Sequence, residues 1–336
     1  MSEIPRGAIR FNTDSNKPEL WDGSQWAEFQ LSTPNLGRSV DTQPGARGLI
    51  RLSGTVNTIE YVNISSTGDA IDFGDTTDTR TAAYGVSSAT RGVFASGYIA
   101  PGYIDVIDFV TIASTGDATD FGNLSTGKYV IGGASSATRG LFAGGFRFPS
   151  GPFYSSIEYV TIASTGNAVT FGDLTVARWG FAGVSSPVRG VFGSGGIGPN
   201  STNSNIIDFV TIATLGDAQD FGDLSYSQRG TAGCSNAIRG LFSGGYDSSD
   251  TYYNNIEYVT ISSTGNSVNF GDAIAAVRGN GAFSSPTRGC FAGGSAPADT
   301  NTISYVTIQT EGDAIEFGDL GSAIQSRGCS NAHGGL

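Results

Sequence analysis

The amino-acid sequence predicts an all-β protein: a six-bladed β-propeller of four-stranded blades, preceded by a small N-terminal β module. The first observation is composition, because 50 glycines among 336 residues, with 20 phenylalanines and one methionine, are typical of short strands joined by tight turns. The second is a unit of roughly fifty residues that recurs six times. The third is that each unit holds four strand-like segments, the content of one propeller blade.

The repeat is marked most clearly by Arg-Gly followed by a short apolar run. Its six copies begin at Arg47, Arg91, Arg139, Arg189, Arg239 and Arg288, so the intervals are 44, 48, 50, 50 and 49 residues. Three further columns keep the same register: Ile-acid-aromatic-Val, a turn of the Thr-Gly-Asp or Thr-Gly-Asn type, and Phe-Gly-Asp. A single unit of this kind cannot bury both of its faces, and radial stacking of neighbours covers them.

Each column predicts one part of a blade. The Arg-Gly run is short and apolar, as expected of a buried inner strand, and the Ile-acid-aromatic-Val segment is the next strand. The Thr-Gly-Asp turn then leads back through Phe-Gly-Asp in a hairpin. The segment at residues 178–186, and its equivalents, supplies the fourth strand. The blade repeats therefore start near residues 47, 80, 128, 178, 229 and 278.

The C-terminal tail predicts how the ring closes. Residues 327–332 (RGCSNA) repeat the start of an earlier unit, but no further blade follows them. We expect residues 327–336 to form a strand that completes blade 1, which begins near Arg47 and lacks a first strand. Such closure removes exposed strand edges. Residues 37–41 are the competing candidate for that strand.

The order of these columns resembles the kelch repeat over residues 38–336. Kelch units share a double glycine that ends a strand, a following strand with an aromatic residue, and a basic residue that opens the innermost strand. The sequence departs from that pattern in having Phe where the last aromatic is often Trp, and in its spacing. The resemblance implies a six-bladed propeller of four-stranded kelch-like blades.

Residues 1–30 lie outside the repeat and predict a separate small β module, joined to the propeller by a linker at residues 31–37. Asn-Thr-Asp at residues 12–14 and Trp-Asp-Gly-Ser at residues 21–24 resemble a short module of bacteriophage tail and fibre proteins. The resemblance implies a virion protein made in the host cytoplasm, whose module docks onto other virion structural proteins through Ile9, Phe11, Trp21 and Trp26. We expect the protein to be a homo-oligomer in the particle.

Composition and charge argue against several other classes. A net charge of −12 without a basic patch argues against nucleic acid as a partner. No apolar run is long enough for membrane insertion. The three cysteines do not form a disulfide framework, and we expect Cys234 and Cys329 to be buried on innermost strands. His333, the single histidine, is expected at a frayed end. We therefore expect no enzyme, no catalytic residues, no metal and no cofactor.

Two sets of basic residues recur in step with the blades. One is the Arg-Gly column, and the other lies about ten residues earlier: Arg80, Lys128, Arg178, Arg229, Arg278 and Arg327. They predict either two cationic rings that bind an anion or repeated structural contacts, in which arginine pairs with the Phe-Gly-Asp carboxylates and with carbonyl groups. Recurrence in every blade favours the structural interpretation. The same holds for the acids of the Ile-acid column.

The segments that differ most between the copies lie between the Arg-Gly strand and the Ile-acid strand. They are rich in Tyr, Gly, Ser and Asn, the composition of adaptable binding surfaces, and we expect them on one face of the disc. The candidate ligand-binding residues are Tyr98, Tyr103, Phe148, Phe153, Tyr154, Tyr246, Tyr252 and Tyr253. We expect a phage tail-fibre or neck appendage that binds a host surface glycan or receptor through these loops. The alternative is an architectural virion protein whose loops contact only other virion subunits.

Overall fold

The computed structural model describes residues 5, 8–12, 17–21, 24–28, 46–54, 56–129, 131–147, 151–198 and 202–336. The chain divides into two compact units, residues 1–43 and 44–336. The first unit contains a three-stranded antiparallel sheet of β1 (Ile9–Asn12), β2 (Lys17–Trp21) and β3 (Trp26–Glu28), in that order. The linker predicted at residues 31–37 lies outside the described residues, as do residues 37–41.

The second unit is a six-bladed β-propeller, as the repeat predicts. Blade 1 contains β4 (Arg47–Leu52), β5 (Thr58–Asn63) and β6 (Ile71–Asp75). Blade 2 contains β7 (Tyr84–Ser87), β8 (Arg91–Ile99), β9 (Gly102–Thr111) and β10 (Thr119–Asn123), and blade 3 contains β11 (Gly132–Ser135), β12 (Arg139–Ala143), β13 (Ser156–Thr161) and β14 (Val169–Asp173).

Blade 4 carries two additional short strands. It contains β15 (Arg178–Trp179), β16 (Ala182–Ser185), β17 (Arg189–Gly193), β18 (Gly196–Ile197), β19 (Thr202–Thr211) and β20 (Gln219–Gln228). Blade 5 contains β21 (Ala232–Ser235), β22 (Arg239–Ser243), β23 (Asn255–Thr260) and β24 (Val268–Asp272). Blade 6 contains β25 (Gly281–Ser284), β26 (Arg288–Ala292), β27 (Thr302–Thr307) and β28 (Ile315–Asp319), and β29 (Ser326–Ser330) follows it.

The last strand closes the ring. Strand β29 pairs antiparallel with β4, with Cys329 opposite Leu49, so blade 1 combines the first and last strands of the propeller. This is the pairing that the tail predicts. Cys234 and Cys329 lie on innermost strands and are 5% and 6% exposed, also as expected.

Every blade has the same four main strands, which we label a to d from the axis outward. Strands a of neighbouring blades contact one another around the axis. Since adjacent strands are antiparallel, the b–c loops and the d–a links emerge on one side of the disc, which we call the variable-loop face. The a–b turns and the c–d links emerge on the opposite face.

The hydrophobic core lies between blades rather than within them. Six clusters of buried side chains are present, and each takes residues from two adjacent blades. Between blades 2 and 3, for example, Ile107 and Phe121 pack against Phe142 and Val160. Each blade therefore covers the apolar face of its neighbour, which explains why the apolar columns recur in every repeat.

The Thr-Gly-Asp segment joins strands c and d, as predicted, and it also reaches the preceding blade. The Gly166 N–H of blade 3 donates to the Phe121 carbonyl of blade 2 at 2.7 Å, and the Asn167 side chain accepts from the Asn123 N–H at 3.0 Å. All six blades repeat this pair of bonds. A Cβ at Gly122 would lie 2.5 Å from the Gly166 carbonyl oxygen, so the close approach requires glycine in Phe-Gly-Asp.

Candidate functional site

The six arginines of the Arg-Gly column join neighbouring blades. Each Nη1 donates to a carbonyl just beyond strand c of the next blade, over 2.9–3.1 Å; for Arg139 the acceptor is Ile212. Each guanidinium also lies 4.4–4.8 Å from the centre of an aromatic ring on strand c of its own blade. A planar guanidinium can stack and donate at once. These contacts support the structural interpretation of this column.

The second set of basic residues does not form one ring, so the alternative of a second cationic ring is wrong. Three members occupy equivalent buried places and pair with the strand-c acid of their own blade. These pairs are Arg80–Asp108 (2.6 Å), Lys128–Glu158 (2.6 Å) and Arg178–Asp208 (3.0 Å). The expected partner, the Phe-Gly-Asp carboxylate, forms no ion pair among the described residues.

In the other blades the basic residue lies at a different position, either later in the d–a link or on strand a. The carbonyls of Lys128 and Arg178 accept an N–H from the neighbouring b–c loop, and in blades 5 and 6 the residues in that place are Gln228 and Val277. Arg229 and Arg278 therefore come one residue later, on the variable-loop face. Arg327 lies on β29, and its Nη1 donates to the carbonyls of Gly279 and Ser326 at 2.9 and 2.6 Å.

The strand-c acids hold the links between blades. In five blades the carboxylate accepts a backbone N–H from the link that follows strand d of the preceding blade. Burial would raise the pKa of Glu158, but Lys128 and the Ser125 hydrogen bonds bring that pKa below its ordinary value. Among the described residues Glu60 has no cation partner of this kind, and burial raises its pKa. Because the carboxylate makes the same backbone contact in five blades, we interpret the strand-c acids as structural residues that hold neighbouring blades together.

The axis of the propeller is nearly filled. Strands a enclose a cavity of about 50 Å³, far below the roughly 300 Å³ of an ordinary small-molecule pocket. The Tyr84 hydroxyl crosses it and accepts from the Gly183 N–H at 3.2 Å. One serine per blade lines the opposite end: Ser87, Ser135, Ser185, Ser235, Ser284 and Ser330. The axis therefore offers no room for a sugar or a peptide.

The chain end covers that end of the axis, so the expectation of a frayed His333 is wrong. Its Nε2 lies 2.9 Å from the Ser87 carbonyl oxygen and 3.2 Å from the Ser135 hydroxyl. Gly334 N–H donates to the Ser235 carbonyl at 2.8 Å. Burial lowers the pKa of His333 to about 4.

The variable loops meet the d–a links in a series of β-bridges. Link and loop residues pair at five junctions between blades: Thr81–Tyr98, Tyr129–Phe146, Trp179–Gly196, Arg229–Tyr246 and Arg278–Ser295. In blades 3, 5 and 6 the loop folds back to add a third segment, at Phe153, Tyr252 and Asp299. The loops are therefore anchored at equivalent places on the propeller, while their sequences differ.

Side chains at these junctions form a band that we call the aromatic arc. It comprises Tyr98, Tyr103, Tyr129, Phe146, Phe153, Trp179, Arg229, Tyr246, Tyr252 and Arg278. Ring centres of Tyr129 and Phe146 are 5.5 Å apart, and those of Phe146 and Trp179 are 4.7 Å apart. The arc runs from blade 2 to the junction of blades 5 and 6.

The structure brings most of the predicted ligand-binding residues to this face. Tyr98, Tyr103, Phe153 and Tyr252 belong to the arc and are partly exposed. Tyr246 is only 8% exposed, so it supports its neighbours more than it offers contact area. Phe148 lies outside the described residues.

Tyr154 and Tyr253 lie beside the arc. The Tyr154 ring is 5.2 Å from Lys128 Nζ, and the Tyr253 hydroxyl donates to Asp247 Oδ2 at 3.1 Å. Sequence reasoning missed Tyr129 and Trp179, because both lie in d–a links rather than in the variable loops. The sequence feature that could have identified them is that each directly follows a basic residue of the second recurring set.

The N-terminal sheet places its two tryptophans side by side. Trp21 and Trp26 are directly opposite on β2 and β3, with ring centres 5.5 Å apart. Arg10 lies 4.3 Å from the Trp26 ring and forms a 2.8 Å ion pair with Glu19. Ile9 is 67% exposed. Phe11 belongs to β1, but its side chain lies outside the described part of the chain.

Three further findings bear on the class of protein. Among the residues that the structure describes, no three His, Cys, Asp or Glu side chains come close enough to hold a metal ion. The described residues also contain no helix long and apolar enough to cross a membrane. The chain matches no protein-family model and no curated protein. Its fold makes it a six-bladed β-propeller, and its loops give one face of that propeller an aromatic band.

Proposed function

We propose that the protein is a structural component of a bacteriophage particle, a tail-fibre or neck appendage that binds a glycan on the host surface through the variable-loop face. The observation that carries this proposal is the concentration of sequence difference and of aromatic side chains in loops on one face. The Arg-Gly and Phe-Gly columns, in contrast, recur in all six blades. Binding surfaces commonly arise in this way, from variable loops on a rigid scaffold.

The N-terminal module supports placement in a virion. Its pattern resembles short modules of phage tail and fibre proteins, and its sheet has an exposed Ile9 on one face and the Trp21–Trp26 pair on the other. A three-stranded sheet of this size has too little core to be stable alone, so it gains stability by docking on a partner. The kelch-like order of the repeat fits the propeller but does not specify a ligand.

Binding to host cells tests the proposal. The variant Phe153→Ala, Tyr252→Ala, Tyr253→Ala should lose binding that the unaltered chain shows at micromolar concentration. A matched control changes Val188, Leu215 and Ile238 to Ser; these side chains are 60%, 58% and 64% exposed on the opposite face, and their loss should leave binding unchanged. Thermal unfolding of both variants checks the fold. Equal binding by all three proteins would contradict the proposal.

A second candidate is a purely architectural virion protein. The burial of Phe146 and Tyr246, at 9% and 8% exposure, favours it, because these rings hold the loops on the propeller. In that case the variable-loop face would bind other virion subunits and ignore host cells. The same binding assay, repeated with purified particles that lack this protein, separates the two functions.

A further inference from the structure

The basic residues of the propeller are distributed unevenly between structure and surface. Residues 46–336 contain 14 Lys and Arg side chains. Six form the inter-blade ring, and three pair with strand-c acids. Arg51 is fully buried, and burial lowers the pKa of Arg327 near the axis. The remaining three are Arg147, Arg229 and Arg278, and all of them lie on the variable-loop face.

Aromatic rings hold these three guanidinium groups in place. Arg229 lies between two rings, 5.3 Å from Trp179 and 4.4 Å from Tyr246. Arg278 lies 4.5 Å from the centre of the same Tyr246 ring and 5.8 Å from the centre of the Tyr252 ring. Arg147 lies 5.8 Å from Tyr103. Stacking fixes the plane of a guanidinium without using its N–H groups. Arg229 uses its own N–H groups within the chain, because its Nε donates to the Tyr246 hydroxyl and its Nη1 to Asn203 Oδ1.

Two of these arginines have no carboxylate partner in the part of the chain that the structure describes. Within the described residues, neither Arg147 nor Arg278 has a carboxylate oxygen within 4.0 Å, although the chain carries a net charge of −12. Arg278 Nε and Trp179 Nε1 are buried without a hydrogen-bond acceptor among those residues. Asp247, one of two acids in the nearby blade 5 loop, already accepts from Ser249, Thr251 and Tyr253. The charges of Arg147 and Arg278 are therefore not neutralised by a carboxylate of the described residues.

We infer that the aromatic arc binds an acidic saccharide, a glycan chain that carries carboxylate or phosphate groups; this inference rests on the proposed function. Aromatic rings can cover the apolar C–H face of a sugar, and a guanidinium pairs with a carboxylate or phosphate through two parallel hydrogen bonds. Arg147 belongs to blade 3, Arg229 to the link into blade 5, and Arg278 to the link into blade 6. The separated charges of Arg147 and Arg278 suit a repeating acidic polymer better than a single acid group.

Binding to defined polysaccharides tests the inference. The probes are polygalacturonate for carboxylate, a ribitol-phosphate polymer for phosphate, uncharged dextran, and a single-stranded oligonucleotide. We expect at least one acidic glycan to bind, added salt to weaken it, and dextran not to bind. The variant Arg147→Gln, Arg278→Gln should bind that glycan about tenfold or more weakly. The control Arg10→Gln removes a charge from the N-terminal unit and should change nothing.

The outcomes separate this inference from the proposed function. Binding of dextran equal to that of the acidic probes, unaffected by Arg147→Gln and Arg278→Gln, overturns the acidic specificity while glycan binding stands. Tighter binding of the oligonucleotide than of either acidic glycan also overturns it. Absence of binding to every probe and to host cells removes the proposed function as well. Arg278→Lys, which keeps the charge but not the planar stack, should bind between the two extremes, with thermal unfolding as the check on folding.

Discussion

His333 should make the stability of the propeller depend on pH. Its Nδ1 accepts from the Gly335 N–H at 3.0 Å, so the proton of the neutral ring is on Nε2, which faces the Ser87 carbonyl. A second ring proton would lie on Nδ1, where it would face the Gly335 N–H and replace an acceptor by a donor. Burial accordingly lowers the pKa of His333 from 6.5 to about 4. No carboxylate contributes to that shift.

The sign and size follow from the difference in pKa between the folded and unfolded states. The unfolded chain binds a proton near the ordinary pKa of 6.5, whereas the folded chain resists it down to about 4. Stability is therefore greatest above the ordinary pKa, and it falls as the pH falls between these two values. The full loss is about 3 kcal/mol, and about 2 kcal/mol of it is reached near pH 5.

Urea unfolding of the wild type and His333→Gln measures this effect. The glutamine can still donate to the Ser87 carbonyl but does not titrate. The contributions of all other groups are the same in both proteins, so the difference in unfolding free energy isolates His333. We expect the wild type to lose about 2 kcal/mol more than the variant between about pH 8 and pH 5. Equal losses in the two proteins would refute the reasoning.

Three further predictions concern the propeller itself. Deletion of residues 326–336 removes strand a of blade 1 and should lower the melting temperature by about 10 °C or more; unchanged melting would contradict closure by β29. Gly183→Ala should destabilise by about 1–3 kcal/mol, because its Cβ would meet the Gly133 carbonyl on strand a of the preceding blade, whereas a Cβ at Gly102 would make only an ordinary contact with the Ile99 carbonyl oxygen at 3.8 Å, so Gly102→Ala should be tolerated in the same urea assay. Lys128→Met leaves the buried Glu158 carboxylate unpaired and should cost about 3–5 kcal/mol, much of which the double variant with Glu158→Gln should restore; absence of such restoration would contradict the pairing.

The architecture could be predicted from the sequence, because each repeat contains the residues that form one blade and its contacts with the neighbouring blades. The Arg-Gly, Ile-acid and Phe-Gly-Asp columns recur since every blade makes the same contacts with its neighbours. The RGCSNA tail could be matched to blade 1 because it resembles a strand a that has no blade of its own. Contacts that recur in every blade require the same residues in every repeat, and this periodicity made the ring and its closure predictable.

Features that break the period were not predictable in this way. In the sequence, Arg229 and Arg278 align approximately with Lys128. They lie one residue later in the link, however, so they are on the variable-loop face instead of in a buried ion pair. The placement of Trp179 in the arc depends on a β-bridge between a link and a loop. His333 occurs once, and only the closed ring creates the serine-lined place that it fills.

Electron cryo-microscopy of the intact phage particle tests the central claim most directly. We predict that residues 1–30 contact another structural subunit and that the variable-loop face, with the aromatic arc, points away from the particle and is uncovered. A map in which another virion subunit covers Trp179, Tyr252 and Arg278, or in which residues 1–30 touch no subunit, would contradict the account.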